Sequence, residues 1–281
     1  VKHTVVTSSK LIEYFRMSLI YYQLVSGKGL EFDRIKEYAP GMDPKRIDWK
    51  KFAKTSKLYI RAFKEERHFD IIVVLDVSDS MLLGTTEFTK NQFASIIAGA
   101  IGFAAGEAGD LFAVAMYSDK VKVALDPTGD LFKVLNIVAD KNNYRGNKDW
   151  LNLSTTLITN YDENSIIFIV SDFIDTNPEE FLPELAAHFS KVYGIMIRDP
   201  IDDELPRGVG RAYLKNVSGT DPRLVNFESA KEEYRLLNLR HIERIGDAFH
   251  KYDQLFFNLK TNEDFGTAFI NALGAEEVII Y

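Results

Sequence analysis

The chain has no cysteine among its 281 residues. Disulfide bonds, thiolate metal sites and a cysteine nucleophile are therefore excluded, and a reducing compartment is compatible with the composition. Histidine is scarce as well, because the five histidines show no short spacing of the kind that zinc ligands have. A metal site in this chain would have to be built from oxygen ligands.

Long hydrophobic runs are also missing. The longest apolar stretch, residues 93 to 105, is shorter than the roughly 20 residues that a membrane-spanning helix needs. We therefore expect no membrane span in these residues and a cytoplasmic protein. The chain opens at Val1 without an initiator methionine, so membrane association through an anchor outside these residues is the alternative. With 46% hydrophobic and 27% charged residues, the composition suits one large globular domain, alone or with a small appendage.

The most informative stretch is residues 70 to 81. Its apolar, β-branched part predicts a central parallel strand that is covered on both faces. Three oxygen-bearing side chains follow that strand, Asp76, Ser78 and Ser80. Ligands gather at the carboxyl ends of strands in open α/β sheets, and oxygen donors without His or Cys favour a hard cation, Mg²⁺ above all.

A second acidic loop repeats this arrangement. Asp172 follows the predicted strand at 165 to 170. If the two strands are neighbours, Asp76 and Asp172 lie side by side, and each carboxylate would raise the pKa of the other unless a cation neutralised them. The pair therefore predicts a shared, positively charged partner.

From residue 69 onward, predicted strands and helices alternate, which indicates an α/β body with a mostly parallel central sheet between helices. We place this body at 69–281, with an inserted loop or hairpin at about 198–226. Residues 1–68 predict an N-terminal helix at 10 to 25 and a small β-containing subdomain. The predicted strands of the body are 111–117, 121–125, 165–171, 192–197 and 254–258, and its predicted helices are 178–189, 228–251 and 263–273, besides the apolar helical stripe of residues 93 to 105.

The two acidic loops resemble the metal-ion-dependent adhesion site (MIDAS) of the von Willebrand factor A fold. That site has an Asp-x-Ser-x-Ser loop, a Thr from a second loop and an Asp from a third, and Asp76, Ser78, Ser80 and Asp172 match it. The resemblance implies a Rossmann-type fold in three layers and bound Mg²⁺.

More narrowly, the chain resembles the family called domain of unknown function 58. The resemblance implies an adaptor for a MoxR-type AAA ATPase in protein remodelling or maturation. The strings that carry it are Gly27-Lys28-Gly29-Leu30-Glu31-Phe32-Asp33, Tyr38-Ala39-Pro40-Gly41, Asp43-Pro44-Lys45-Arg46-Ile47-Asp48-Trp49, the adhesion-type loop, Ser171-Asp172-Phe173, and the segment from Arg198-Asp199-Pro200 to Leu205-Pro206. Within the first 68 residues the subdomain motif consists of Gly27, Gly29, Glu31, Phe32, Asp43, Arg46, Asp48 and Trp49.

The chain departs from the family pattern at two places. Lys148, followed by Asp149, stands where the pattern Gly-Gly-Thr-Asp-Leu has its Thr, and Met42 stands where an Asp precedes Asp43. Two alternatives follow for Lys148. Its ammonium neutralises Asp76 and Asp172 without a metal, or it points to solvent and leaves Mg²⁺ to the remaining ligands and water.

Residues 45 to 67 are strongly basic, with nine Lys and Arg against three Asp and Glu, within a chain of net charge −7. Interleaved aromatic residues make a polyanion or nucleic-acid site one interpretation. Docking of this basic segment on an acidic surface, with the aromatic residues in a core, is the simpler one.

Enzymatic motifs fit poorly. Phosphatases of the haloacid dehalogenase type need a second Asp two residues after the nucleophile, and this chain has Ser78 there; no Gly-x-Ser-x-Gly elbow is present. We therefore expect a non-enzymatic protein–protein interaction module. The alternatives are a Mg²⁺-dependent phosphoesterase and a polyanion binder.

Overall fold

The computed structural model describes residues 68–206, 208–214, 222–264, 266 and 267, and a few residues before them: 21, 24, 25, 35–37, 55, 57 and 59–61. The chain forms two compact units, residues 1–21 with 69–281, and residues 22–68. In the smaller unit, β1 (Ile35–Glu37) pairs antiparallel with β2 (Tyr59–Arg61). The subdomain motif from Gly27 to Trp49, Met42, and most of the basic segment lie outside the described residues.

The larger unit alternates strands with helices. Its described elements are β3 (Asp70–Asp76), α1 (Lys90–Ala108), β4 (Leu111–Tyr117), β5 (Val121–Ala124), α2 (Leu131–Val138), α3 (Trp150–Asn160), β6 (Ile166–Ser171), α4 (Leu182–His188), β7 (Lys191–Arg198), α5 (Pro200–Asp203), β8 (Arg211–Leu214), β9 (Arg223–Asn226), α6 (Phe227–Lys251) and β10 (Phe256–Lys260). Short 3₁₀ helices occupy Asp79–Leu82, Lys141–Asn143 and Pro178–Glu180.

Among the described residues, six strands form one sheet in the order β10-β7-β6-β3-β4-β5. All neighbouring strands are parallel except β5, which pairs antiparallel with β4. The central strands β3 and β6 are buried almost throughout, as expected for strands covered on both faces. The prediction of a mixed α/β body with a mostly parallel sheet flanked by helices is confirmed.

Helix α1 shows how local sequence sets an element. Its N-terminus carries a capping box in which the Thr89 backbone N–H donates to Gln92 Oε1 at 3.0 Å. It ends at Gly109, whose φ of 82° is the left-handed conformation that glycine adopts without a Cβ clash. Small residues such as Ala94, Ala98 and Ala105 are buried on the face towards the sheet, so the helix packs close to it.

Three helices of the body, α2, α3 and the single turn α5, were not predicted from the sequence. Helix α2 is short and is capped by Asp130, whose carboxylate accepts the Lys133 N–H. Helix α3 contains polar and β-branched residues that have low helix propensity, and it is held by a buried face of Trp150, Leu153, Ser154 and Leu157. Within 198–226, β8 and β9 pair as an antiparallel hairpin.

Candidate functional site at the carboxyl edge of the sheet

Asp76 and Asp172 come from neighbouring parallel strands. Asp76 is the last residue of β3, and Asp172 directly follows Ser171, the last residue of β6. The register pairs Leu75 with Val170, so both carboxylates lie at the carboxyl edge of the sheet. Both residues are almost completely buried.

Lys148 joins the two carboxylates. Its Nζ lies 2.5 Å from Asp172 Oδ1 and 3.1 Å from Asp76 Oδ2. The same nitrogen donates to the Ile174 carbonyl at 3.2 Å. Since an ammonium has three hydrogens, these three acceptors use all of its donors.

A second lysine completes the group. Lys90, the first residue of α1, has a fully buried side chain, and its Nζ lies 2.7 Å from Asp172 Oδ2. Asp202 Oδ2 lies 3.4 Å from the same nitrogen. Asp76, Lys90, Lys148 and Asp172 form what we call the charge cluster: two carboxylates and two ammonium groups, each at least nine-tenths buried.

Hydroxyl and backbone groups also donate hydrogen bonds to the two carboxylate oxygens of Asp76. Ser171 Oγ donates to Asp76 Oδ2 at 2.5 Å, and the Ser78 backbone N–H donates to Asp76 Oδ1 at 2.9 Å. Ser78 Oγ and Ser80 Oγ lie 3.2 Å apart and bond to each other. The three oxygen-bearing residues of the first loop are therefore close together.

Aromatic stacking holds the loops that carry Lys148 and Asp172. Trp150, two residues after Lys148, stacks on Phe173, the residue after Asp172, with ring centroids 5.8 Å apart and planes 6° apart. The Trp150 indole N–H also donates to Thr176 Oγ1 at 2.8 Å. Because both partners are buried, these contacts fix the two loops against each other.

The electrostatics follow from burial and pairing. Burial raises the pKa of the Asp172 carboxyl, but the attraction of Lys148 and then of Lys90 outweighs it, so the pKa lies below its usual range. Burial lowers the pKa of Lys148, and the charges of Asp76 and Asp172 more than reverse that effect, so its pKa is raised. Asp172 and Lys148 are therefore both charged at neutral pH.

The arrangement does not fit a divalent cation. Mg²⁺ needs open carboxylate oxygens and its own near-octahedral shell. Here Lys148 bridges the faces of Asp76 and Asp172 on which the ion would lie, and Lys90 takes the other oxygen of Asp172. Within the part of the chain that the structure describes, no three His, Cys, Asp or Glu side chains form a group that could hold a metal ion.

Strained backbone concentrates in the same loops. Four described non-glycine residues have positive φ, and three of them, Arg145 (103°), Phe173 (50°) and Asp175 (54°), lie in the loops at this edge. The Arg145 N–H donates to the Val77 carbonyl at 2.7 Å, which ties the Lys148 loop to the first loop. Such conformations persist only where the surroundings impose them, and they cluster at functional sites.

Sequence reasoning missed the roles of two residues at this site: Lys90, a member of the charge cluster, and Ser171, which was noted only within a family string and whose hydroxyl bonds to Asp76. Lys90 could have been found, because it lies four residues before Ala94 and seven before Ile97 on the buried face of α1, and a lysine on such a face needs a buried partner. Ser171 gave no comparable signal. Asp149, predicted to modify the site, is exposed and caps α3 by accepting the Asn152 N–H at 3.2 Å.

Comparison with known proteins shows which family the chain is similar to. The sequence profile of a family described as "Protein of unknown function DUF58" matches residues 34–244. The uncharacterized protein Rv1480 of Mycobacterium tuberculosis (strain ATCC 25618 / H37Rv) is 34% identical over 80 residues, which is 28% of this chain and 25% of that protein. The uncharacterized protein Mb1516 of Mycobacterium bovis gives the same figures. The match therefore spans about a quarter of the length of these relatives.

The fold is similar to that of solved structures. An aerotolerance-related membrane protein from Bacteroides fragilis has a TM-score of 0.50 at 9% identity, over 74% of this chain and 99% of the other. The protein BatB from Bacteroides thetaiotaomicron has a TM-score of 0.49 at 11% identity, over 75% of this chain and 99% of the other. None of the helices in the described residues is both long and apolar enough to cross a membrane.

Proposed function

This chain belongs to the DUF58 family of proteins of unknown function, and we propose that it is a non-enzymatic protein–protein interaction module that contacts its partner at the carboxyl edge of its sheet. In this proposal the fold is the von Willebrand A type, and Lys148 takes the place of the cation in the adhesion site. The resemblance of the sequence to its family suggests a MoxR-type AAA ATPase as the partner, with the chain acting as an adaptor in protein remodelling or maturation.

One observation supports recognition rather than chemistry. Every member of the charge cluster is paired within the protein: the Lys148 ammonium has three acceptors, and Asp76 accepts from Ser78, Ser171 and Lys148. A nucleophile or general acid–base group needs an oxygen or proton that can reach a substrate. Asp76, the residue that a phosphatase would use, is buried, and both of its oxygens already accept hydrogen bonds.

The loops around the cluster supply the contact surface. Asn147 and Asp175 are exposed at this edge, next to the strained residues Arg145 and Phe173. A rigid, pre-organised surface lowers the entropic cost of binding a partner. The charge cluster and the stacked rings beneath it provide that rigidity.

The test is binding to a MoxR-type AAA ATPase from the same organism, measured by biolayer interferometry with ATP, with ADP and without nucleotide, each in the presence and absence of EDTA. We expect saturable binding that EDTA does not change. Asn147→Arg, at the carboxyl edge, should weaken it, whereas Asn164→Arg, an exposed change at the opposite edge, should not.

Absence of binding in all nucleotide states would contradict the adaptor proposal. Turnover of p-nitrophenyl phosphate that requires Mg²⁺ and is lost in Asp76→Asn would replace it by a phosphoesterase.

A further inference from the structure

A pocket of about 490 Å³ lies beside the charge cluster. One wall is the loop Ile174 to Asn177 that follows Asp172, and the opposite wall is a face of α6. Arg198, at the carboxyl end of β7, and Asp202 close the pocket at its side. Tyr234, Asn238, His241 and Arg244 project from α6 at spacings of four, three and three residues, so they share one helix face.

Arg198 is a buried cation with a fixed orientation. Only 2% of the residue is exposed. Its Nε and Nη2 donate to Asp203 Oδ1 at 3.2 and 3.1 Å, and Nη2 also donates to the Asp202 carbonyl at 2.6 Å. Among the described residues its Nη1 has no hydrogen-bond partner, and this nitrogen is not fully buried. Nε and Nη2 are thus anchored, and Nη1 is available to the pocket.

Arg244 is the second cation. Its Nη2 donates to the Thr176 carbonyl at 3.0 Å and lies 3.4 Å from His241 Nδ1. Its Nε and Nη1 have no partner within the described part of the chain. Burial lowers the pKa of His241, with Arg198 and Arg244 adding to the effect, so the imidazole between the two arginines is neutral at neutral pH.

The negative charges at the pocket are unequal. Asp202 accepts the Asp199 N–H at 2.9 Å and lies 3.4 Å from Lys90 Nζ, which it shares with Asp172. Asp175 is exposed at the rim and has no ion-pair partner in the described residues. An anion in the pocket would therefore meet Arg244, which has no ion-pair partner among the described residues, and Arg198, whose other side is paired with Asp203, with Asp175 as the opposing charge at the rim.

We propose that this arginine pocket, defined by Arg198, Asn238, His241 and Arg244, binds the carboxylate of an acidic side chain on a partner protein. The guanidinium groups match a planar carboxylate, and Asn238 has one amide N–H beyond the one it donates to the Tyr234 carbonyl. This inference rests on the proposed function, because it names the chemistry of the partner at the same edge of the sheet.

The experiment follows the side-chain Nε–H signals of the arginines by NMR during titration with blocked tripeptides. Acetyl-Gly-Glu-Gly-amide is the probe, and acetyl-Gly-Gln-Gly-amide is its neutral match. We expect the Arg198 and Arg244 signals to shift with the Glu peptide, with a Kd of about 1 to 10 mM, and not with the Gln peptide.

Arg244→Gln should weaken binding about tenfold, as expected for loss of a charge-assisted pair. Asp175→Asn should strengthen binding about threefold, because it removes an opposing charge.

Arg240→Gln is the matched control, since Arg240 is an exposed arginine on α6 that does not line the pocket. Equal shifts with the Gln peptide, or no shift up to about 20 mM Glu peptide, would overturn the inference. Tighter binding of inorganic phosphate, or of triglycine with a free carboxyl end, would overturn the assignment to an acidic side chain. An ATPase that binds the chain normally after Arg244→Gln would disprove the pocket's role and leave the proposed function standing.

Discussion

Replacing Lys148 by Met tests whether its ammonium neutralises the two carboxylates. Met keeps an apolar, unbranched stem and removes the charge. Asp172 would keep Lys90 at 2.7 Å, whereas Asp76 would lose its only ionic partner in the described structure. An uncompensated buried charge costs about 3 to 5 kcal/mol. Because Asp76 keeps its bonds from Ser78 and Ser171, we expect a loss near the lower end, about 3 kcal/mol of unfolding free energy.

The loss should depend on pH in one direction. In the wild type, the lowered pKa of Asp172 gives a stabilisation that is complete above the unfolded pKa of about 3.9 and disappears as the pH falls through the folded value. In the variant, a buried carboxylate without its ammonium has a raised pKa, so the folded state takes up a proton that the unfolded state does not. The variant therefore regains stability as the pH falls from 7 towards about 4. Urea unfolding at both pH values, followed by tryptophan fluorescence, measures the difference.

Lys122→Met is the control, because the ion pair of Lys122 with Asp119 is at the surface and its loss should give no resolvable change in the urea midpoint. Adding Asp76→Asn to Lys148→Met should restore part of the stability, since it removes the orphaned charge. The reasoning fails if Lys148→Met behaves like Lys122→Met at pH 7. It also fails if the loss is the same at both pH values.

Three further predictions concern the cluster and the core. We expect Lys148→Thr to bind Mg²⁺ more tightly than the wild type in calorimetric titration, because it frees the facing carboxylate oxygens, and equal affinities would contradict this. We expect Lys90→Met to lower the urea midpoint more than any exposed lysine substitution, since the Lys90 side chain is fully buried against a carboxylate. Gly194→Ala would place a Cβ 2.6 Å from the Phe249 ring and should cost about 1 to 3 kcal/mol in urea unfolding, whereas Gly129→Ala, with no atom within 4 Å, should have little effect.

The sequence was most informative where burial and spacing agree. The apolar runs of β3 and β6 predicted central parallel strands, which end at the same edge of a sheet. The proximity of Asp76 and Asp172 was predicted only on the condition that these strands are neighbours, and the structure pairs them. Helix α1 was recognisable from its apolar stripe.

Side-chain partnerships were harder to predict. Whether Lys148 bridges the carboxylates or points to solvent depends on how its loop is held, and the stacking of Trp150 on Phe173 joins segments that are distant in sequence. Helix α3 was missed because its Thr-rich surface has low helix propensity, although Trp150, Leu153 and Leu157 have helical spacing.

The charge cluster has a consequence for how the polypeptide reaches its native state. Its members come from four separate segments: the end of β3, the start of α1, the loop before α3 and the loop after β6. Until all four have docked, the buried charges do not balance, so intermediates that lack a single segment are penalised. We therefore expect this region to assemble cooperatively, with all four segments in place together. A fragment ending before residue 148 would leave Asp76 without its counter-ion and should not acquire this packing.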